Sequence, residues 1–277
     1  MNIQQPLEGR IALITGSGRG IGRAIALHFA QLGAGVVVNF FRNRAPAQAT
    51  VEEIQAMGCQ GWLIKADVGN IEDLNGLFNQ VEQQVGSLDF LICNAASGYN
   101  RPVMEQRPKG WDWTMNINAR SALFAAQRAV PLMEKGGGGA IVNISSPGSS
   151  RVLPDYVVVG ASKAALEAVT RYLAVELAPK NIVVNAVSPG VVLTEALRYF
   201  DSVRRDENII GRIIAHTPAG RLVTPEDIAR VVAFLCSPVA SMIRGQTILV
   251  DGGYTLPVEG VLWGQSIREQ EDESTWG

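Results

Sequence analysis

The sequence predicts an α/β protein built on a single doubly wound parallel sheet of about seven strands flanked by helices. Three observations predict it. Short apolar runs alternate with helix-length amphipathic stretches, the order that stacked βαβ units produce. The runs are apolar almost throughout instead of every second residue, as in strands covered on both faces. No linker, repeat or change of composition interrupts the alternation before residue 254, so one domain over 1–263 is the economical reading.

In chain order, strands are expected at 10–15, 35–40, 61–66, 88–93, 139–145, 182–187 and 246–250, and helices at 20–32, 45–57, 71–85, 109–135, 156–178 and 225–235. Two stretches fall outside the alternation. Residues 195–220 follow the sixth strand and read as a substrate-covering segment over the carboxyl ends of the strands, where such sheets bind ligands. Residues 264–277 read as an acidic, polar tail, although Trp263 and Trp276 are unusual companions for one.

Composition narrows the function classes. With 47% hydrophobic and 18% charged residues the chain is rich enough in apolar side chains to bury a large core. A net charge of −2 offers no basic excess for nucleic acid, which leaves small molecules as partners. The three cysteines are odd in number and scattered, so they read as thiols of a reducing compartment. Without a signal-like start or a long apolar run, the expectation is a cytoplasmic protein with no membrane contact. Neither His28 nor His216 has partners at metal-ligand spacing, so no metal is expected.

Directly after the first strand comes Thr15-Gly16-Ser17-Gly18-Arg19-Gly20-Ile21-Gly22, opening a helix. Glycines there let the backbone turn sharply and approach a pyrophosphate, while the helix start presents free N–H groups. The arrangement predicts a Rossmann-like dinucleotide site containing Gly16, Ser17, Arg19, Gly20, Ile21 and Gly22. The second strand ends in Asn39-Phe40-Phe41-Arg42, without the carboxylate that accepts from a free ribose 2′-hydroxyl. Guanidinium groups at Arg19 and Arg42 suit a 2′-phosphate instead, which points to NADPH. Asp67-Val68 closes the third strand, and Asp67 has two readings, an acceptor for the adenine amino group or a helix N-cap. Asn94 and Ala95 follow the fourth strand, where small residues let a ribose lie against the backbone.

These motifs, with NIN at 116–118, NISS at 143–146, the Tyr and Lys of DYVVVGASK, SPG at 188–190 and RGQTILVDGG at 244–253, resemble the short-chain dehydrogenases/reductases over nine tenths of the chain. The resemblance implies that Tyr156 donates to or polarises a substrate oxygen, Lys163 lowers the Tyr pKa and holds the ribose, Asn118 positions a water relay, and Ser146 occupies the active-site serine position. It also implies Pro189, Gly190 and Thr194 at the nicotinamide, with an N-cap as the rival reading for Thr194, and a homotetramer built through 109–135 and 156–178. The chemistry has a reason: a phenol near pKa 10 works poorly at neutral pH until something stabilises its anion.

The sequence departs from the commonest family pattern, which puts the Tyr four residues before the Lys. That position is Val159, while Tyr156 precedes Lys163 by seven residues, two helical turns and nearly the same helix face. The wider spacing resembles that of enoyl-acyl carrier protein reductases, type III NADPH-dependent ones in particular. It implies reduction of a C=C bond conjugated to a thioester carbonyl, on a small-molecule or carrier-protein-bound acyl substrate. A ketone reductase of the same fold and a non-catalytic NADPH-binding module are the alternatives. Leu197, Tyr199, Phe200, Ile209, Ile210, Ile213 and Ile214 fit either an acyl tunnel or an amphipathic helix packed on the core. Arg198, Arg204, Arg205 and Arg212 fit a carrier-protein face or a mixed-charge surface with Glu195, Asp201, Asp206 and Glu207.

Overall fold

The computed structural model describes residues 6–194 and 208–256. Its seven strands are β1 (Ile11–Ile14), β2 (Gly35–Phe40), β3 (Gly61–Lys65), β4 (Phe90–Cys93), β5 (Gly139–Ile144), β6 (Ile182–Pro189) and β7 (Thr247–Val250), in the order β3-β2-β1-β4-β5-β6-β7. Every pairing is parallel. The winding reverses between β1 and β4, so a crevice opens beyond their carboxyl ends.

Helices α1 (Gly20–Gln31), α2 (Arg44–Ala56) and α8 (Pro225–Leu235) cover one face of the sheet; α3 (Ile71–Gln84), α5 (Ser121–Glu134) and α6 (Val157–Glu176) cover the other. The strands are apolar on both sides because each side packs into its own core. Phe29 of α1 meets Phe90 of β4 edge to face at 5.7 Å in the first and Phe78, Leu91 and Leu166 sit in the second.

The stretch 109–135, expected as one helix, is α4 (Pro108–Met115), a π-type turn (Asn116–Arg120) and α5. Such a widening inserts an extra residue and re-aims side chains, often beside a functional site. Within 195–220, the described residues form α7 (Ile209–His216), with Ile209, Ile210, Ile213 and Ile214 half-buried along one side. Glu195, Leu197, Arg198, Tyr199, Phe200, Asp201, Arg204, Arg205, Asp206, Glu207, Trp263, Trp276 and the tail 264–277 lie outside the described residues. Among the described residues no helix is long and apolar enough to cross a membrane.

Candidate active site

The glycine loop is held from below by two asparagines. Asn39 is the next-to-last residue of β2, otherwise a run of apolar residues, and is buried. Its Oδ1 accepts from Gly16 N–H at 3.2 Å and its Nδ2 donates to the carbonyls of Ile64 and Ala66, tying β2, β3 and the loop together. Asn94 Nδ2 donates to the carbonyls of Thr15 and Gly16 at 2.9 and 3.1 Å. Thr15 Oγ1 accepts from the N–H groups of Asn94 and Ala95, both at 3.0 Å.

Two glycines have no substitute in this packing. Gly16 turns with φ +64° and lies against Ala95; Gly22 faces Asn94, and a Cβ there would stand 2.6 Å from the Gly16 carbonyl oxygen. Behind the loop α1 starts without a side-chain cap and with no acidic residue in its first turn. A cradle at a bare helix N-terminus fits a phosphate group, so the residues present suit the expected dinucleotide.

The expected cofactor residues divide into wall and frame. Gly20 and Thr194 face each other, 3.7 Å from Thr194 Cγ2 to where a Gly20 Cβ would sit; the residues after Thr194, on which its N-cap reading depends, are not described. Arg19, at the N-cap position of α1, is exposed. Arg42 is exposed too and lies over the rings of Phe41 and Trp113, at 5.7 and 5.9 Å. Ser17 turns inward: its hydroxyl donates to the Ile14 carbonyl at 2.7 Å and its N–H to Asn39 O, so it stabilises the loop. Asn94 spends its amide N–H groups on the loop. Ile21 packs its side chain toward the core, as does Val68.

The N-cap reading of Asp67 fails because Asn70 caps α3, its Oδ1 accepting from Asp73 N–H at 2.9 Å. Asp67 Oδ1 accepts from Gly69 N–H, and the residue lines an open cavity of about 460 Å³ with Gly69, Trp113, Ile117 and Arg120. Pro189 is buried at the end of β6, and Gly190 passes so close to Asp251 that a Cβ would reach 2.7 Å from its Cβ.

On the catalytic side the hydroxyls of Tyr156 and Ser146 lie 3.3 Å apart. Ser146 also accepts from Gly148 N–H, capping the short turn Pro147–Ser149. The Tyr156 ring rests on that turn: a Cβ on Gly148 would stand 2.5 Å from Tyr156 Cε1. Tyr156 is the N-cap residue of α6, with φ −108° and ψ 9°, one step outside the helix to which its spacing assigned it. The left-handed Asp155 before it, φ +59°, swings the chain out of helical geometry. Burial raises the Tyr156 pKa, the Ser146 hydrogen bond opposing the shift.

Lys163 is buried and donates to the Ile144 carbonyl at 2.6 Å. Burial lowers its pKa to about 8, against the pull of Cys93 and Glu167. At the phenol, desolvation raises the pKa and the Ser146 hydrogen bond opposes it. Val159, at the family's usual tyrosine position, is buried under Gly98, whose Cα face it fills.

Asn118, in the π-type turn, donates to Ser97 O and Ser162 Oγ, both at 2.9 Å, and accepts from Ser97 N–H at 2.8 Å. Its amide clamps the loop after β4 onto α6. Sequence reasoning missed Asn39, Ser97 and Gly148. Asn39 alone left a signal, one amide in an apolar strand.

A glycine cradle at the switch point of a doubly wound sheet, with a buried lysine and a hydroxyl pair across the crevice, defines a dinucleotide-type oxidoreductase site. Residues 16–255 match the family model described as "Enoyl-(Acyl carrier protein) reductase". The 1-cyclohexenylcarbonyl-CoA reductase of Streptomyces collinus is 41% identical over 254 residues, covering 91% of this chain and 90% of that protein. A hydroxynaphthalene reductase-like protein of Metarhizium anisopliae is 38% identical over 89% of this chain and 95% of its own. Among solved structures, a 7α-hydroxysteroid dehydrogenase complexed with NADH and 7-oxo glycochenodeoxycholic acid matches with a TM-score of 0.85 and 36% identity, over 90% of this chain and 96% of that one. The chain belongs to the short-chain dehydrogenase/reductase family and is an oxidoreductase.

Proposed function

We propose that the protein is an NADPH-dependent reductase of the conjugated C=C bond of an enoyl thioester. The observation that carries this reading is the exchange of places between Tyr156 and Val159. Gly98 presses on Val159, so a tyrosine there would have to displace the loop after β4, and the proton-donating role falls to Tyr156, beside Ser146. When bound, the reduced nicotinamide supplies a hydride equivalent. A hydride that lands on the β-carbon leaves charge on the thioester oxygen two atoms away, and a displaced phenol is placed to meet it. With its pKa raised by burial, Tyr156 keeps its proton at neutral pH and donates to that oxygen, giving an enol that tautomerises with a proton at the α-carbon to the saturated thioester, while Ser146 Oγ orients the phenol. Such an acid contributes about 10²–10⁴-fold in rate.

The cofactor half of the reading rests on Arg19 and Arg42, which offer guanidinium groups to a 2′-phosphate. The name of the Streptomyces relative, an unsaturated acyl-CoA reductase, supports the enoyl chemistry and coenzyme A as carrier; the description of the family model supports acyl carrier protein instead. A fatty acid synthesis role, the cytoplasmic location and a homotetramer through 109–135 and 156–178 belong to the same proposal, the last supported by exposed Tyr172 and Val175 on α6. Carbonyl reduction is the second reading, favoured by the hydroxynaphthalene reductase-like relative.

NADPH oxidation with crotonyl-CoA and acetoacetyl-CoA side by side tests the proposal. Crotonyl-CoA should be turned over, and Tyr156→Phe should lower kcat about 10²-fold or more. Turnover of acetoacetyl-CoA alone would establish carbonyl reduction.

A further inference from the structure

Two aromatic rings converge on Arg42, in the short link between β2 and α2. Its guanidinium carbon lies 5.7 Å from the centre of the Phe41 ring and 5.9 Å from that of the Trp113 ring. Both rings are exposed and belong to neither core, so burial does not account for their placement. Phe41 precedes Arg42 in the chain, whereas Trp113 comes from α4 and reaches it only through the fold.

Trp113 is itself held. Its Nε1 donates to Ser97 Oγ at 2.9 Å. Ser97 is joined through its N–H and its carbonyl to Asn118, which donates to Ser162 Oγ next to Lys163. The ring therefore stands on the clamp that ties the loop after β4 to α6. It also lines the open cavity with Asp67 and Gly69, beyond the end of β3.

Among the described residues no carboxylate pairs with Arg42, which leaves its charge for an anion. An aromatic face attracts a guanidinium without using its N–H donors, and those donors suit a phosphate. A long side chain loses rotamer freedom when it grips a ligand, and one already held against two rings loses less.

We propose that Trp113 is a positioning residue for cofactor choice: with Phe41 it holds the Arg42 guanidinium beside that cavity, set for a 2′-phosphate, and so favours NADPH over NADH. This rests on the proposed preference for NADPH.

Calorimetric titration with NADPH and NADH tests it. Trp113→Leu should weaken NADPH about two- to five-fold and leave NADH as in the parent. An equal loss for both cofactors, the mark of a merely structural role, or no loss for NADPH would overturn the inference. Trp113→Phe keeps a ring but not the bond to Ser97 and should stay near the parent; a loss as large as that of Trp113→Leu would put the effect in the Ser97 bond and overturn the ring contact. In an Arg42→Ala background Trp113→Leu should cost nothing further, and a loss that persists there would show the ring acting other than through Arg42. A parent that binds both cofactors alike would overturn the NADPH reading and this inference with it, whereas failure of the inference alone leaves the parent's preference intact.

Discussion

Helices α1 and α8 pack side by side on one face of the sheet and begin in opposite ways. At α8 the end is closed. Thr224 Oγ1 accepts from Asp227 N–H at 3.3 Å, Asp227 Oδ2 accepts from Thr224 N–H at 2.9 Å, and Arg221 and Arg230 pair with the same carboxylate at 2.6 and 2.7 Å. At α1 no side chain caps the first turn, and an arginine stands at the cap position. A helix start with unfilled N–H groups is less stable than a capped one by about 1 kcal/mol, yet it keeps donors and a partial positive charge for an anion. One helix spends its amino terminus on stability and its neighbour keeps it for a ligand.

The largest effect is expected where the open end is built. Gly22→Ala would set a Cβ against Asn94 and 2.6 Å from the Gly16 carbonyl. Overpacking of this kind costs about 1–3 kcal/mol, and NADPH affinity should fall more than ten-fold, checked by denaturant unfolding and fluorescence titration. Arg19→Asp would turn the start of α1 into something like that of α8. It should raise stability by roughly 0.5–1 kcal/mol while weakening NADPH more than NADH; unchanged affinities for both would break the comparison.

Thr224→Ala is the smallest of the three, about 1 kcal/mol of stability with NADPH affinity unaltered. The pH dependence has the same origin. The Arg221 guanidinium holds the Asp227 carboxyl well below the usual carboxylate range. A depressed folded-state pKa means that its stabilisation is complete at neutral pH and fades as pH falls below about 4. Acid titration of the Thr224→Ala protein should show a shallower loss than the parent over that range.

The strands were legible because a strand covered on both faces is a run of apolar residues, and each expected run coincides with an observed strand to within two residues. The glycine loop was equally open to reading, since its conformation is local and its glycines have few substitutes. Asn118 and Asn94 were found as residues, but the work of their amides was not legible. Their amides are spent on Ser97, Ser162 and the glycine loop, partners up to 79 residues away in the chain. The π-type turn inside 109–135 had no signal, because an inserted backbone residue leaves the apolar spacing nearly intact.

The sequence by itself determined the doubly wound sheet, the position of the phosphate cradle and the displacement of Tyr156 from Val159. All three depend on residues that are neighbours in the chain. Only the tertiary structure decided what surrounds each polar group. Ser17 turns away from the crevice, burial raises the Tyr156 pKa against the Ser146 hydrogen bond, and Lys163 and Glu167 bond the Ile144 carbonyl and the Ser145 hydroxyl. Protonation and hydrogen bonding depend on distance and desolvation, and these are fixed when α6 docks on the end of β5.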